Sequence, residues 1–137
     1  MKRTASAHWE GDLKSGKGSL STPSTTLNKT QYSFNSRFEN GVGTNPEELL
    51  AAAHAGCFTM AISLMLSQAG FTATSLDTSA TLTLENLAVT GAHLAITGKV
   101  AGISAAQFSE ITKNAEKNCI ISKALSVPIT SEASLVN

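Results

Sequence analysis

The chain has 137 residues, with ten basic side chains against ten acidic ones and aromatics at only 5%. That length suits one domain with a real core, residues 1–137 taken together. Balanced charge argues against a nucleic-acid or anionic-membrane binder, and so few aromatics argue against a base-stacking surface.

The opening segment MKRTASAHWEGD has no apolar stretch of the kind a signal peptide carries, so a cytoplasmic protein is expected. His8–Asp12 and Gly18–Thr22 read as short strands around a GDLKSGKG turn. Thr30–Arg37 alternates as TQYSFNSR and reads as a third strand, followed by the loop FENGVGTN.

Asn45–Gly70 then reads as one long helix. Asn45 can cap it, Pro46 suits the first helical position, and Glu47 and Glu48 favour the positive end of the dipole. Asn45 and Glu48 are spaced nearly as a capping box, and Gly70 offers a stop. Apolar and small residues occupy almost every face, so the helix is expected to be buried nearly all round.

No charge occurs from Leu49 to Leu76, a run long enough to cross a bilayer. Against that stand His54, Thr59, Ser63, Ser67 and Gln68 within the run, and no aromatic belt or flanking Lys/Arg. A soluble helix of this kind needs cover on all sides, which a homodimer would provide.

Ala80, Leu82 and Leu84 alternate with polar neighbours, as do Leu94, Ile96 and Val100, giving two half-buried strands with a turn near Asn86–Gly91. Ser104 and Gln107 form a capping box for a second helix whose apolar stripe runs Phe108, Ile111, Ala115 and on to Cys119. Val127, Ile129, Ala133 and Leu135 share one parity and close the chain with a strand. The order implies an α+β fold, with helices gathered on one face of a mostly antiparallel sheet.

The spacing of the only two cysteines, Cys57 and Cys119, excludes a CxxC redox motif and a zinc-ligand pattern. Buried cysteines are commonly inert core residues. Three features favour chemistry instead: both cysteines fall on expected core faces, His54 lies one turn before Cys57, and Arg37, Glu39, Glu47 and Glu48 cluster before the helix in a charge-poor chain.

A reactive thiol must be a thiolate, and Cys57 lies about three turns into the helix, beyond the reach of its dipole. Arg37 is the best candidate cation because its planar fork can hold a carboxylate and a ligand together; His54 is second. Glu47 precedes Cys57 by ten residues, about 15 Å and about 80° of phase in an ideal helix. A shared site therefore requires a broken helix or a Glu47 from a partner subunit.

RFENGVGTNPEELLAAAHAGCFTMAISLML, preceded by HWEGDLKSGKGSLST and followed by a late cysteine, resembles the OsmC/Ohr family, on its OsmC branch, along the whole chain. The resemblance implies an intertwined homodimer and a thiol-dependent peroxidase for organic hydroperoxides that needs no metal or haem. Cys57 matches the peroxidatic cysteine, Cys119 the resolving one, and Arg37 and Glu47 the pair that activates the thiol. A dithiol reductant, such as a lipoyl-bearing protein, is implied as partner.

Phe34, Phe38, Phe58 and Met60 are expected to line an apolar substrate pocket. The chain departs from the family at two places. The early hairpin carries Lys14 and Lys17 where the Ohr branch places its arginine, and Ile120 follows Cys119 where proline is frequent. The competing readings are a Cys57–His54 hydrolase, a non-enzymatic dimer with structural thiols, and metal binding by His8, His54, His93 and the cysteines.

Overall fold

The computed structural model describes residues 1–136 and divides into two compact units, one up to Leu49 and one from Leu50 onward. In the first, β1 (Ser6–Glu10), β2 (Lys17–Ser21) and β3 (Thr30–Tyr32) form an antiparallel sheet in that order. Asp12 fixes the β1–β2 turn: its carboxylate accepts from the Ser15 amide at 2.7 Å and its carbonyl accepts from the Gly16 amide at 2.9 Å.

The expected strand over Thr30–Arg37 stops at Tyr32, and a short helix α1 (Phe34–Phe38) replaces its second half. Ser33 caps the Ser36 amide at 3.1 Å while the Ser36 hydroxyl accepts from the Ser33 amide at 2.8 Å, a reciprocal box. The Ser36 hydroxyl also reaches the Thr44 carbonyl at 2.7 Å, tying α1 to the loop beyond it. Local capping overrides the weak alternation of TQYSFNSR.

The long helix α2 spans Pro46–Gln68. Asn45 accepts from the Glu48 amide at 2.7 Å, but the Glu48 carboxylate turns to the Thr44 hydroxyl at 2.6 Å, so only half of the expected capping box forms. At the other end the Phe71 amide bonds to Leu66 and the Gly70 amide to Ser67, a Schellman closure that requires the φ of +87° at Gly70.

In the second unit β4 (Ala73–Glu85) and β5 (Ala88–Val100) form an antiparallel hairpin, and β6 (Ile129–Leu135) lies parallel on the other side of β5. The hairpin turns on Asn86 and Leu87, both at positive φ as a two-residue primed turn demands. A parallel neighbour needs a crossover, supplied by α3 (Ala105–Asn118) and α4 (Ile120–Ala124). The Ser104–Gln107 box caps α3 as the sequence implies.

The core of this unit joins Phe58, Ile62 and Leu66 of α2 with Leu94, Ile96 and Val100 of β5, Phe108 and Ala115 of α3, and Cys119. Each large side chain so buried contributes about 1.5–3 kcal/mol. The expectation of burial nearly all round α2 is corrected: its buried residues are His54, Phe58, Ile62 and Leu66, one stripe at four-residue spacing. Met60 and Leu64 are 76% and 58% exposed in the single chain. By length and composition α2 could cross a membrane, yet this stripe packs into a protein core.

Gly98 sits on the core face of β5, where an added Cβ would lie 2.6 Å from Phe108 Cζ. Because that ring is fully buried and has nowhere to move, Gly98→Ala is expected to cost about 1–3 kcal/mol. A urea-unfolding midpoint unchanged from wild type would refute this packing argument.

Candidate active site

Arg37 lies in the last turn of α1 and Glu47 in the first turn of α2, both in the first unit. The helical turn that the sequence did not suggest presents the guanidinium edge-on to the carboxylate. Nε donates to Oε1 at 2.9 Å and Oε2 at 3.2 Å, and Nη2 donates to Oε1 at 2.6 Å. Nη1 has no hydrogen bond among the described residues, so the fork holds Glu47 with one edge and keeps donors for a ligand.

The pair shifts both groups. The hydrogen bond to Glu47 raises Arg37 above its ordinary value, and the bond from Arg37 holds Glu47 below the usual 4.5. Arg37 also stacks over Phe38, with Cζ 5.1 Å from the ring centroid.

One turn of α1 places Phe34 and Phe38 together, centroids 5.2 Å apart. With Trp9, Leu13 and Tyr32 they line a cavity of about 310 Å³ that also includes Arg37. The other two expected lining residues belong to the second unit. Phe58 is fully buried in its core, and Met60 is largely exposed.

Cys57 and Cys119 are both free thiols of the second unit. Cys57 is partly buried and packs against the cluster that contains Cys119, which is 2% exposed. Cys119 is the joint between α3 and α4. Its amide closes α3 on Ala115 at 3.0 Å, and its sulfur caps α4 by accepting from the Ser122 amide at 3.3 Å. Proline is therefore not needed to start this helix: a sulfur cap does so, with exposed Ile120 at the first position.

His54 is fully buried, and its Nε2 lies 2.8 Å from the Ser122 hydroxyl. The same hydroxyl accepts from the Cys119 thiol at 3.0 Å. Nδ1 has no partner among the described residues, so neither ring nitrogen bonds Cys57. Burial pushes the His54 pKa down and keeps the ring neutral. These contacts give no support to a hydrolase built on Cys57 and His54.

Ser122 escaped sequence reasoning. Its signal was the Cys-x-x-Ser spacing at a helix start, legible only once sulfur is admitted as a cap. His93, half-exposed, bonds Thr130 at 2.7 Å and Glu132 at 3.3 Å from β5 to β6.

Because the folded Glu47 lies below its free value, the stability it contributes is present above pH 4.5 and is lost as pH falls through the depressed folded pKa. With Arg37 41% exposed on its side chain, solvent screening limits the pair to about 0.2–1 kcal/mol. Unfolding titrations at descending pH should show this increment in wild type and not in Glu47→Gln. Identical pH slopes would exclude it.

Comparison with known proteins places this architecture. The family model described as OsmC-like protein matches residues 38–133. The chain is 48% identical over 134 residues to the Escherichia coli K12 protein named Peroxiredoxin OsmC, covering 95% of this chain and 94% of that one. Its fold matches the OsmC-like protein from Mycoplasma pneumoniae with a TM-score of 0.78 at 15% identity, over 100% of this chain and 99% of the other. It also matches the organic hydroperoxide resistance protein OhrB of Bacillus subtilis, with a TM-score of 0.65 at 19% identity over 97% and 98% of the two chains. The family model and the identity across nearly the whole of both chains show that the chain belongs to the OsmC family.

Proposed function

We propose that this chain, an OsmC-family cysteine peroxidase, reduces organic hydroperoxides with Cys57 as the attacking thiolate and Cys119 as the resolving thiol. The observation that carries the site is the Arg37–Glu47 fork, whose free Nη1 edge faces outward from a carboxylate already held. Such a cation stabilises a thiolate and polarises a peroxide O–O bond.

In the first step the Cys57 sulfur attacks the terminal peroxide oxygen. The O–O bond breaks, the alcohol leaves with a proton, and sulfur is oxidised to a sulfenic acid. In the second, the Cys119 thiol displaces water and the two sulfurs form a disulfide. A thiol reductant then restores both thiols; a dithiol on a lipoyl-bearing protein fits a two-thiol cycle. The cytoplasm, which keeps thiols reduced, suits it as a compartment.

Phe34 and Phe38 around the Arg37 cavity suit an alkyl or aryl group better than hydrogen peroxide. Residues 1–137 are read as a single OsmC-like domain working as a homodimer. Support comes from α2, whose Met60 and Leu64 leave an apolar face open in the single chain. α2 is also unbroken, so of the two ways to unite Glu47 with Cys57, contribution from a partner subunit is favoured.

Loss of cumene hydroperoxide with a dithiol tests the roles. Wild type should turn over, Cys57→Ser should be inactive, and Cys119→Ser should stop after a single equivalent when the dithiol is withheld. An inactive wild type whose Cys57 resists thiol reagents while folded would favour structural thiols instead.

Leu64→Glu tests the assembly by sedimentation. It should convert a dimeric wild type to monomer, with loss of roughly a hundredfold or more in peroxidase activity as the site comes apart. A fully active monomeric wild type would overturn both the dimer and the shared site.

A further inference from the structure

Ser122 and His54 have no part in the cycle described above, yet both touch the resolving cysteine or its neighbour. Their geometry is directional. The Cys119 thiol donates to Ser122 Oγ at 3.0 Å, and Ser122 Oγ lies 2.8 Å from His54 Nε2. A hydroxyl has one proton and two lone pairs, so it can accept from the thiol while donating to an imidazole lone pair. All three side chains are buried, at 2%, 6% and 0% exposure.

The position of His54 needs a reason. It occupies one place in a stripe otherwise made of Phe58, Ile62 and Leu66, and its buried Nδ1 has no hydrogen-bond partner among the described residues. A leucine would fill such a place with no orphaned nitrogen. A buried polar atom left unsatisfied calls for an explanation, and a role in proton transfer is one.

Resting on the peroxidase reading, we propose that His54 is a positioning residue for the second step, accepting the Cys119 proton by way of the Ser122 hydroxyl. The Cys119 S–H bond breaks as its proton passes to Ser122 Oγ, and the Ser122 proton passes to Nε2. The released Sγ electron pair attacks the sulfenic sulfur of Cys57. The S–S bond forms, the S–O bond breaks, and the departing hydroxide takes up a solvent proton at the partly exposed Cys57 to leave as water. His54 Nε2 holds the Cys119 proton until reduction of the disulfide frees the Cys119 thiolate, which takes it back through Ser122. Cys57 sulfur is reduced by the electron that Cys119 sulfur gives up, so Cys57 sulfenic acid is the only oxidant required.

Burial supports this arrangement by lowering the His54 pKa, which favours the neutral ring, and the tautomer with the proton on Nδ1 leaves Nε2 able to receive. Once Nε2 is protonated, the same three groups reverse their bonds: Nε2–H donates to Ser122, and Ser122 donates to the thiolate. No side chain has to move.

The test is a single turnover without dithiol. Reduced wild type, Ser122→Ala, Ser122→Thr and His54→Leu each receive one equivalent of cumene hydroperoxide. Samples are quenched over time with dimedone and analysed by intact mass and disulfide mapping. Peroxide consumption in this first turnover should be unchanged in all four. Disulfide closure should slow by roughly a hundredfold in Ser122→Ala and His54→Leu, with the Cys57 sulfenic acid trapped in its place.

Ser122→Thr keeps the hydroxyl and should restore most of the closure rate, which a purely structural role for Ser122 would not give. Circular dichroism establishes which variants are folded. Should His54→Leu not fold, the Ala and Thr pair at Ser122 decides the matter. Closure in Ser122→Ala as fast as in wild type, or in Ser122→Thr as slow as in Ser122→Ala, would overturn the relay. A wild type that forms neither sulfenic acid nor disulfide would instead overturn the peroxidase reading, and the relay with it.

Discussion

Beyond Glu48, α2 carries no charge, and only every fourth residue of its central part is buried. That constraint shapes the rest of the second unit. The row His54, Phe58, Ile62, Leu66 meets an equally regular row on β5, where Leu94, Ile96 and Val100 point the same way. Four-residue spacing drifts slowly around a helix, so the fully buried stripe is narrow, flanked by partly buried Cys57, Ala61 and Met65, and the face with Met60 and Leu64 stays uncovered by this chain. The same packing that builds the core also carries an imidazole into it. In that core the imidazole takes its hydrogen-bond partner from a nearby side chain, that of Ser122, whose amide is capped by the Cys119 sulfur.

A different kind of interaction organises the first unit. Its sheet is small, and what fixes its functional end is a set of hydrogen bonds around α1: the Ser33–Ser36 box, the reach of Ser36 to Thr44, and the Asn45 amide on the Ser36 carbonyl at 3.2 Å. These hold the helical turn against the segment that starts α2, and so set Arg37 in line with Glu47. Three short bonds between guanidinium and carboxylate then fix the orientation of a side chain with four rotatable bonds. In stability such a partly exposed pair is worth little; its value is in aiming a permanent cation.

Much of this was legible in the sequence because it rests on local rules. The Ser104–Gln107 box, the Asn45 cap, the Gly70 stop and the alternation of β5 each depend on residues within a few positions of one another. The misreadings arose where two local rules competed or where the deciding contact was distant. TQYSFNSR alternates, but its two serines prefer to cap, and capping prevailed. α2 looks apolar all round because composition does not say which faces this chain can cover. Phe58 sits next to Cys57 in sequence, yet neighbouring residues on a helix point about 100° apart, so the ring went to the core. The contact between His54 and Ser122 spans a helix and a crossover, and no spacing rule could have given it.

The unequal exposure of the two thiols fits the division of labour proposed for them. A thiol that attacks peroxide must be reached by it, and Cys57 is only partly buried. A resolving thiol has the opposite need, since a second thiol open to peroxide would be oxidised in its own right before it met the first. Cys119 is enclosed, its sulfur engaged twice by Ser122 and its backbone closing one helix while opening the next. Enclosure has a chemical consequence. A buried thiol cannot hand its proton to bulk water, so the nucleophile must be made inside the protein, by a group already in contact with it. Ser122 is that contact, and on its far side, among the described residues, its hydroxyl meets His54. In the proposed cycle, the enclosure of Cys119 and the presence of an imidazole in the core answer one structural requirement.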